Sequence, residues 1–149
     1  MPGYSGTPLP KKLGIKEAFR VALVGLPADV KAELRDALAG CTIAKNAPLD
    51  FAMMFAKTQA ELRNHFASLA KQLAPAGMLW ASWPKKTSGV ATDMNENDVR
   101  RIGLEAGLVD VKVCAVSEVW SGLKFVRRLK DRKRLAGIGD LPCNRNDRR

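Results

Sequence analysis

A three-layer α/β fold on a mostly parallel sheet is what the sequence predicts, and three observations carry it. Continuous apolar runs of strand length recur at FRVALVG (19–25), LDFAMMFA (49–56) and GMLWASW (77–83), as expected of strands covered on both faces. Segments with helical spacing separate them. Two last runs, LVDVKVCAV (108–116) and GLKFV (122–126), are joined through SEVWS and lie close enough to pair antiparallel.

Taken in order, FRVALVG stops at a glycine, and PADVKAELRDALAG then places Val30, Leu34, Ala37 and Leu38 on one helical face before Gly40. CTIA (41–44) reads as a brief second strand and LDFAMMFA as a third. TQAELRNHFASLAKQL opens with Thr58 and Glu61 in capping-box spacing and carries Leu62, Phe66, Leu69 and Leu73 on one stripe. APAG should break that helix, and the fourth strand should end at Pro84, which has no N–H for a ladder. ENDVRRIGLEAG gives a short helix facing inward through Val99, Ile102 and Ala106. The sheet should hold five or six strands. Trp80 and Trp83, three residues apart on one strand, should face opposite sides.

The chain has 149 residues and a formal charge of +10, enough length for one domain with a real core. The domain is expected to span residues 1–126, with a basic and flexible tail at 127–149. That tail holds nine basic and three acidic residues, a balance of +6 against +4 for the rest. Cys41, Cys114 and Cys143 are odd in number and widely spaced, which fits neither a disulfide framework nor zinc. With no apolar leader and no run near the ~20 residues of a membrane helix, a cytoplasmic protein without membrane contact is expected.

The blocks KLGIKEAFRVALVG, LDFAMMFA and LAKQLAPAGMLWAS resemble the Rossmann-like S-adenosylmethionine-dependent methyltransferases, and the terminal strand pair also fits. At finer grain YSGTPL, KKLGIK, WPKK, SGV, GLVDVKV and EVWSGLKFV resemble a small bacterial domain-of-unknown-function family (DUF 3052) over residues 3 to about 127, a likeness that assigns no activity. The methyltransferase likeness implies an acidic-x-G-x-G-x-G cofactor loop after the first strand. Here that loop reads Leu23, Val24, Gly25, Leu26, Pro27, Ala28, Asp29, with one glycine of three, and Pro27 removes an N–H where main chain should approach a ligand. Lys45 and Asn46 stand where the family's ribose-binding carboxylate should be. No cofactor is therefore expected, and Asp50, which matches a family aspartate, reads equally as a strand-start residue.

In open sheets of this type ligands gather beyond the carboxyl ends of the strands. Lys57, Lys85 and Lys86 should converge there, with Trp83 offering a π face, Ser5 and Thr7 offering hydroxyls, and Gly25 close by. His65 is the only histidine and no nucleophile elbow is present, so acyl-transfer chemistry has no base and no presented serine. Asp93, Glu96 and Asp98 cluster at a helix start, where the dipole alone favours them, and no metal site is expected. In the tail Arg127, Arg128, Lys130, Arg132, Lys133 and Arg134 could contact phosphates weakly and without sequence preference. The leading expectation is a non-catalytic binding or accessory protein that engages an anionic small molecule or a protein partner at the carboxyl rim. Two alternatives stand beside it: a methyltransferase with a remodelled loop, and weak nucleic-acid binding by the tail.

Overall fold

The computed structural model describes residues 7–132. Six strands form one sheet in the order β2-β1-β3-β4-β6-β5, where β1 is Arg20–Val24, β2 Thr42–Ile43, β3 Leu49–Phe55, β4 Leu73–Pro84, β5 Leu108–Ala115 and β6 Trp120–Arg127. The first four run parallel, β6 is antiparallel to β4, and β5 is antiparallel to β6. The predicted fold class and the terminal antiparallel pair are both present.

The apolar runs are continuous because the central strands are buried on both sides. One face of the sheet packs Ala52, Met54, Leu79, Ala81 and Trp83 against α3 (Gln59–Gln72) and α4 (Glu96–Glu105), through Leu62, Phe66, Val99 and Ile102. The other packs Phe51, Met53, Phe55 and Trp80 against α1 (Leu9–Leu13) and α2 (Ala28–Ala39), through Leu9, Leu13, Val30 and Leu34. Trp80 and Trp83 thus belong to different layers, as the period of two requires. Trp80 also donates its indole N–H to the Leu13 carbonyl at 2.9 Å, which pins α1 over β4.

Helix ends follow the local chemistry. Thr58 accepts from the Glu61 N–H at 3.1 Å, while the Glu61 carboxylate reaches one residue further back, to the Lys57 N–H at 2.8 Å. Asn95 and Asp98 form a full reciprocal box at the start of α4, each accepting the other's backbone N–H at 3.0 Å.

Several expectations are corrected. APAG does not separate α3 from the next strand: Leu73 is at once the C-terminal cap of α3 and the first residue of β4. Residues 74–77 are absorbed as an irregular stretch between the pairs Leu49↔Leu73 and Phe51↔Met78. Gly77 is required there because a Cβ would collide with the Leu49 carbonyl oxygen. The short helix α1 carried no sequence signal of useful length. Cys41 and Cys114, which fall within the runs read as the second strand and the first of the terminal pair, are both half-exposed, because each lies at an outer edge of the sheet. Cys41 precedes β2 and donates its thiol to the Lys16 carbonyl at 3.3 Å. Burial still pushes both thiols up from their ordinary value. Cys143 lies outside the described residues.

Candidate functional site at the carboxyl rim

Beyond the end of β4 the chain folds into a cleft of about 530 Å³. Trp83, Pro84 and Met94 make its buried apolar floor, and Lys85, Lys86, Thr92, Asn95, Glu96 and Ser121 supply polar groups at its sides. Local hydrogen bonds fix this shape. The Lys85 N–H donates to the Val119 carbonyl at 2.7 Å, tying the end of β4 to the turn before β6. Ser88 donates to the Lys85 carbonyl at 2.7 Å and accepts from the Val90 N–H at 3.1 Å, which closes the loop around Gly89 in its left-handed conformation (φ 80°). Thr92 donates to the Lys57 carbonyl at 2.7 Å, so the opposite wall is anchored to the end of β3.

The charge around the cleft is one-sided. Glu96 is engaged by Arg100 at 2.6 Å, Asp93 accepts the Gln59 N–H at 2.8 Å, and Asp98 is held in its capping box. Among the described residues neither Lys85 nor Lys86 has a carboxylate within ion-pair distance. Among the residues that line the cleft the uncompensated charge is therefore positive, on a surface with an apolar base.

Trp83, Lys85 and Lys86 are brought together as the sequence suggested, whereas Lys57 and Gly25 do not line this cleft. Thr7 is exposed, and Ser5 lies outside the described residues. The residues that sequence reasoning missed are Thr92, Met94 and Asn95. Asn95 and Asp98 had capping-box spacing, which marks a helix start but not the wall of a cleft.

Gly25 occupies a distinct place at the end of β1, with φ 71°, where a Cβ would sit 3.0 Å from the Phe55 carbonyl oxygen. Pro27 follows as the residue before α2 and offers no side-chain bond, so the first N–H groups of that helix keep their donors free of a side-chain cap. His65 lies apart from the cleft, in a groove of about 350 Å³ between α3 and the β1–β2 edge, together with Lys45, Ser68 and Gln72. Asp50 accepts the Arg20 N–H at 2.9 Å and is a strand-start residue. Among the described residues no group of three or more His, Cys, Asp or Glu could hold a metal ion, and no helix is long and apolar enough to cross a membrane.

Solved structures share this architecture. A methyltransferase dependent on S-adenosylmethionine from Aquifex aeolicus superimposes with TM-score 0.54 at 16% identity, covering 77% of this chain and 85% of its own. The magnesium protoporphyrin IX methyltransferase of Synechocystis PCC 6803, solved with S-adenosylhomocysteine bound, gives 0.53 at 14% identity and 75% of each chain. A TehB-like methyltransferase from Corynebacterium glutamicum gives 0.53 at 6% identity, covering 85% of this chain and 90% of its own. The fold is the Rossmann-like methyltransferase fold. No protein-family model and no curated protein matches the sequence. The expectation of a non-catalytic binding or accessory protein is overturned by this likeness, which favours the methyltransferase alternative.

The tail residues take varied places. Arg127 is the last residue of β6, and its guanidinium donates to the Ala70 and Leu73 carbonyls at 2.9 and 2.7 Å, capping α3. Arg128 pairs with Asp131 at 3.4 Å, Arg132 donates to the Arg127 carbonyl at 3.0 Å, and Lys130 is exposed on a helical turn. Lys133 and Arg134 lie outside the described residues.

Proposed function

We propose that this protein is an S-adenosylmethionine-dependent methyltransferase with a remodelled cofactor loop, acting on a small anionic acceptor. The observation that carries the proposal is the pairing of this sheet order with Gly25 and the uncapped start of α2 at the carboxyl rim. Those residues fit the cofactor in outline. Gly25 leaves main chain accessible where a side chain would meet the Phe55 carbonyl, and the first N–H groups of α2 are placed to receive a carboxylate. Lys45, just past β2, would donate to ribose oxygens in place of the carboxylate of the methyltransferases it resembles. Asp29, in the first turn of α2, would pair with the amino group of the methionine portion. The close likeness to a bacterial domain-of-unknown-function family is part of the same reading and adds no activity to it.

When bound, the cofactor supplies an electrophilic methyl group on a sulfonium that departs as a neutral thioether. The remaining work falls to this chain. The sole imidazole lies in the other groove, and Glu96 is held by Arg100. The acceptor must therefore arrive already nucleophilic. Lys85 and Lys86 favour its anionic form, and the Trp83 and Met94 floor orients its apolar body, so the rate enhancement comes from positioning and not from proton abstraction.

Titration calorimetry with S-adenosylmethionine and S-adenosylhomocysteine tests this. Stoichiometric binding by the wild type, lost in Gly25→Val and retained in Lys85→Ala/Lys86→Ala, is the expected result. Absence of heat from the folded wild type with both compounds overturns the proposal.

A further inference from the structure

Strands β5 and β6 place two lysines in direct opposition. Lys112 pairs with Lys124 in the ladder, and Lys124 pairs with Trp80, so all three share the face that α1 and α2 cover further along the sheet. Like charges directly opposite one another on one face oppose sheet formation. No compensation is supplied: among the described residues neither lysine has a carboxylate within ion-pair distance. Asp110, the acidic residue of β5, faces the other layer, where Arg100 holds it at 2.9 Å. A third cation joins them, since Lys12 of α1 donates to the Ala115 carbonyl at 3.2 Å, at the end of β5. Lys12 and Lys112 both act electrostatically on Cys114. Burial first, and Lys112 second, pull the Lys124 ammonium below its ordinary value.

The cluster is also extended. From the register, Ala115 opposes Ser121, three residues from Lys124 along β6. Past the strand end Arg128, Lys130 and Arg132 stand against the single carboxylate of Asp131. Along β6 the stretch from Ser121, opposite the Ala115 that Lys12 reaches, to Lys124 is about 10 Å at strand rise, more than one phosphate group needs. Lys124 is half-buried and pairs with Trp80, the residue that pins α1 over the same face of β4. A thin polyanion reaches such a residue, whereas a planar lipid surface is held off by the helix.

We propose that this flank binds the phosphate backbone of a nucleic acid without sequence preference, through Lys12, Lys112 and Lys124. The site accepts a like-charge conflict in the free protein that phosphates relieve. This inference does not depend on the methyltransferase reading.

Fluorescence anisotropy of a labelled oligouridylate across a sodium chloride series tests it, on the full chain. The wild type should bind at about 50 mM salt, and Lys112→Gln/Lys124→Gln should lose about tenfold in affinity and flatten the log–log salt slope by roughly 1.4, or ~0.7 for each contact removed from a single strand. Lys112→Glu gives the second reading: a cross-strand ion pair should raise the melting temperature by a few degrees while binding falls further. Retained affinity with an unchanged slope in the double variant overturns the proposal, as does an absence of binding by the wild type. Equal or stronger retention on phosphatidylglycerol vesicles, lost in the same variant, assigns the flank to a lipid surface and also overturns it.

Discussion

Trp80 is fully buried, and its indole N–H is satisfied by a carbonyl sixty-seven residues away in sequence, so it joins packing and a polar contact in one side chain. Trp80→Phe should lower stability by about 1–3 kcal/mol, because the Leu13 carbonyl is left unpaired in the interior, with denaturant titration as the measure. Gly103 is a second such position: a Cβ there would overlap the ring of Phe125. Gly103→Ala should cost about 1–3 kcal/mol through overpacking, whereas its helix propensity alone favours the change. Lys124 gives a pH dependence whose sign follows from its lowered pKa. Below its folded value the charged form carries the burial penalty in full. Between that value and the higher unfolded one, the unfolded chain holds more protons, so stability rises with pH and the penalty disappears. Lys124→Met should therefore melt higher than the wild type at neutral pH, and the gap should close as the pH approaches the ordinary lysine range.

Among the elements, α3 is defined at both ends by particular side chains. Thr58 caps its start, and Arg127, supplied by the last strand, caps its end. Thr58→Ala should cost about 1 kcal/mol. Arg127→Met should lower the melting temperature more, since at least two carbonyls lose a charged donor, and should leave oligonucleotide binding unchanged. That pair of readouts separates Arg127 from the cations that sequence composition grouped with it. The grouping was natural, because a run of basic residues shows charge but not which guanidinium a distant helix end has engaged. Thr58 and Glu61 were legible because a cap is local. The Arg127 contacts span more than fifty residues and left no trace in the sequence.

At the scale of the molecule, the layered sheet could be read from three continuous runs and one amphipathic stripe, since burial on both faces removes polar residues from a strand. The rim could be located for the same reason: Gly25, Lys57 and Pro84 stand where those runs stop. The cleft itself could not, because its far wall at Thr92 to Glu96 is brought up by hydrogen bonds to Lys57 and within the Asn95 box. Nor could the Lys112–Lys124 opposition, which needs a register that a bulge near Val111 displaces by one residue. The methyltransferase alternative was discounted at Pro27, where a glycine is missing, although no side chain caps the helix start behind it.

The junction at Leu73, where α3 passes into β4 with no intervening loop, leaves the chain no slack. One alanine added after Leu73 would have to be absorbed in the irregular 74–77 stretch or else rotate β4 by half its period, delivering Trp80 to the layer of α3 and Trp83 to that of α1. Either outcome would be visible as a change in tryptophan emission, making this seam a sensitive gauge of how firmly the two halves of the molecule are indexed to each other.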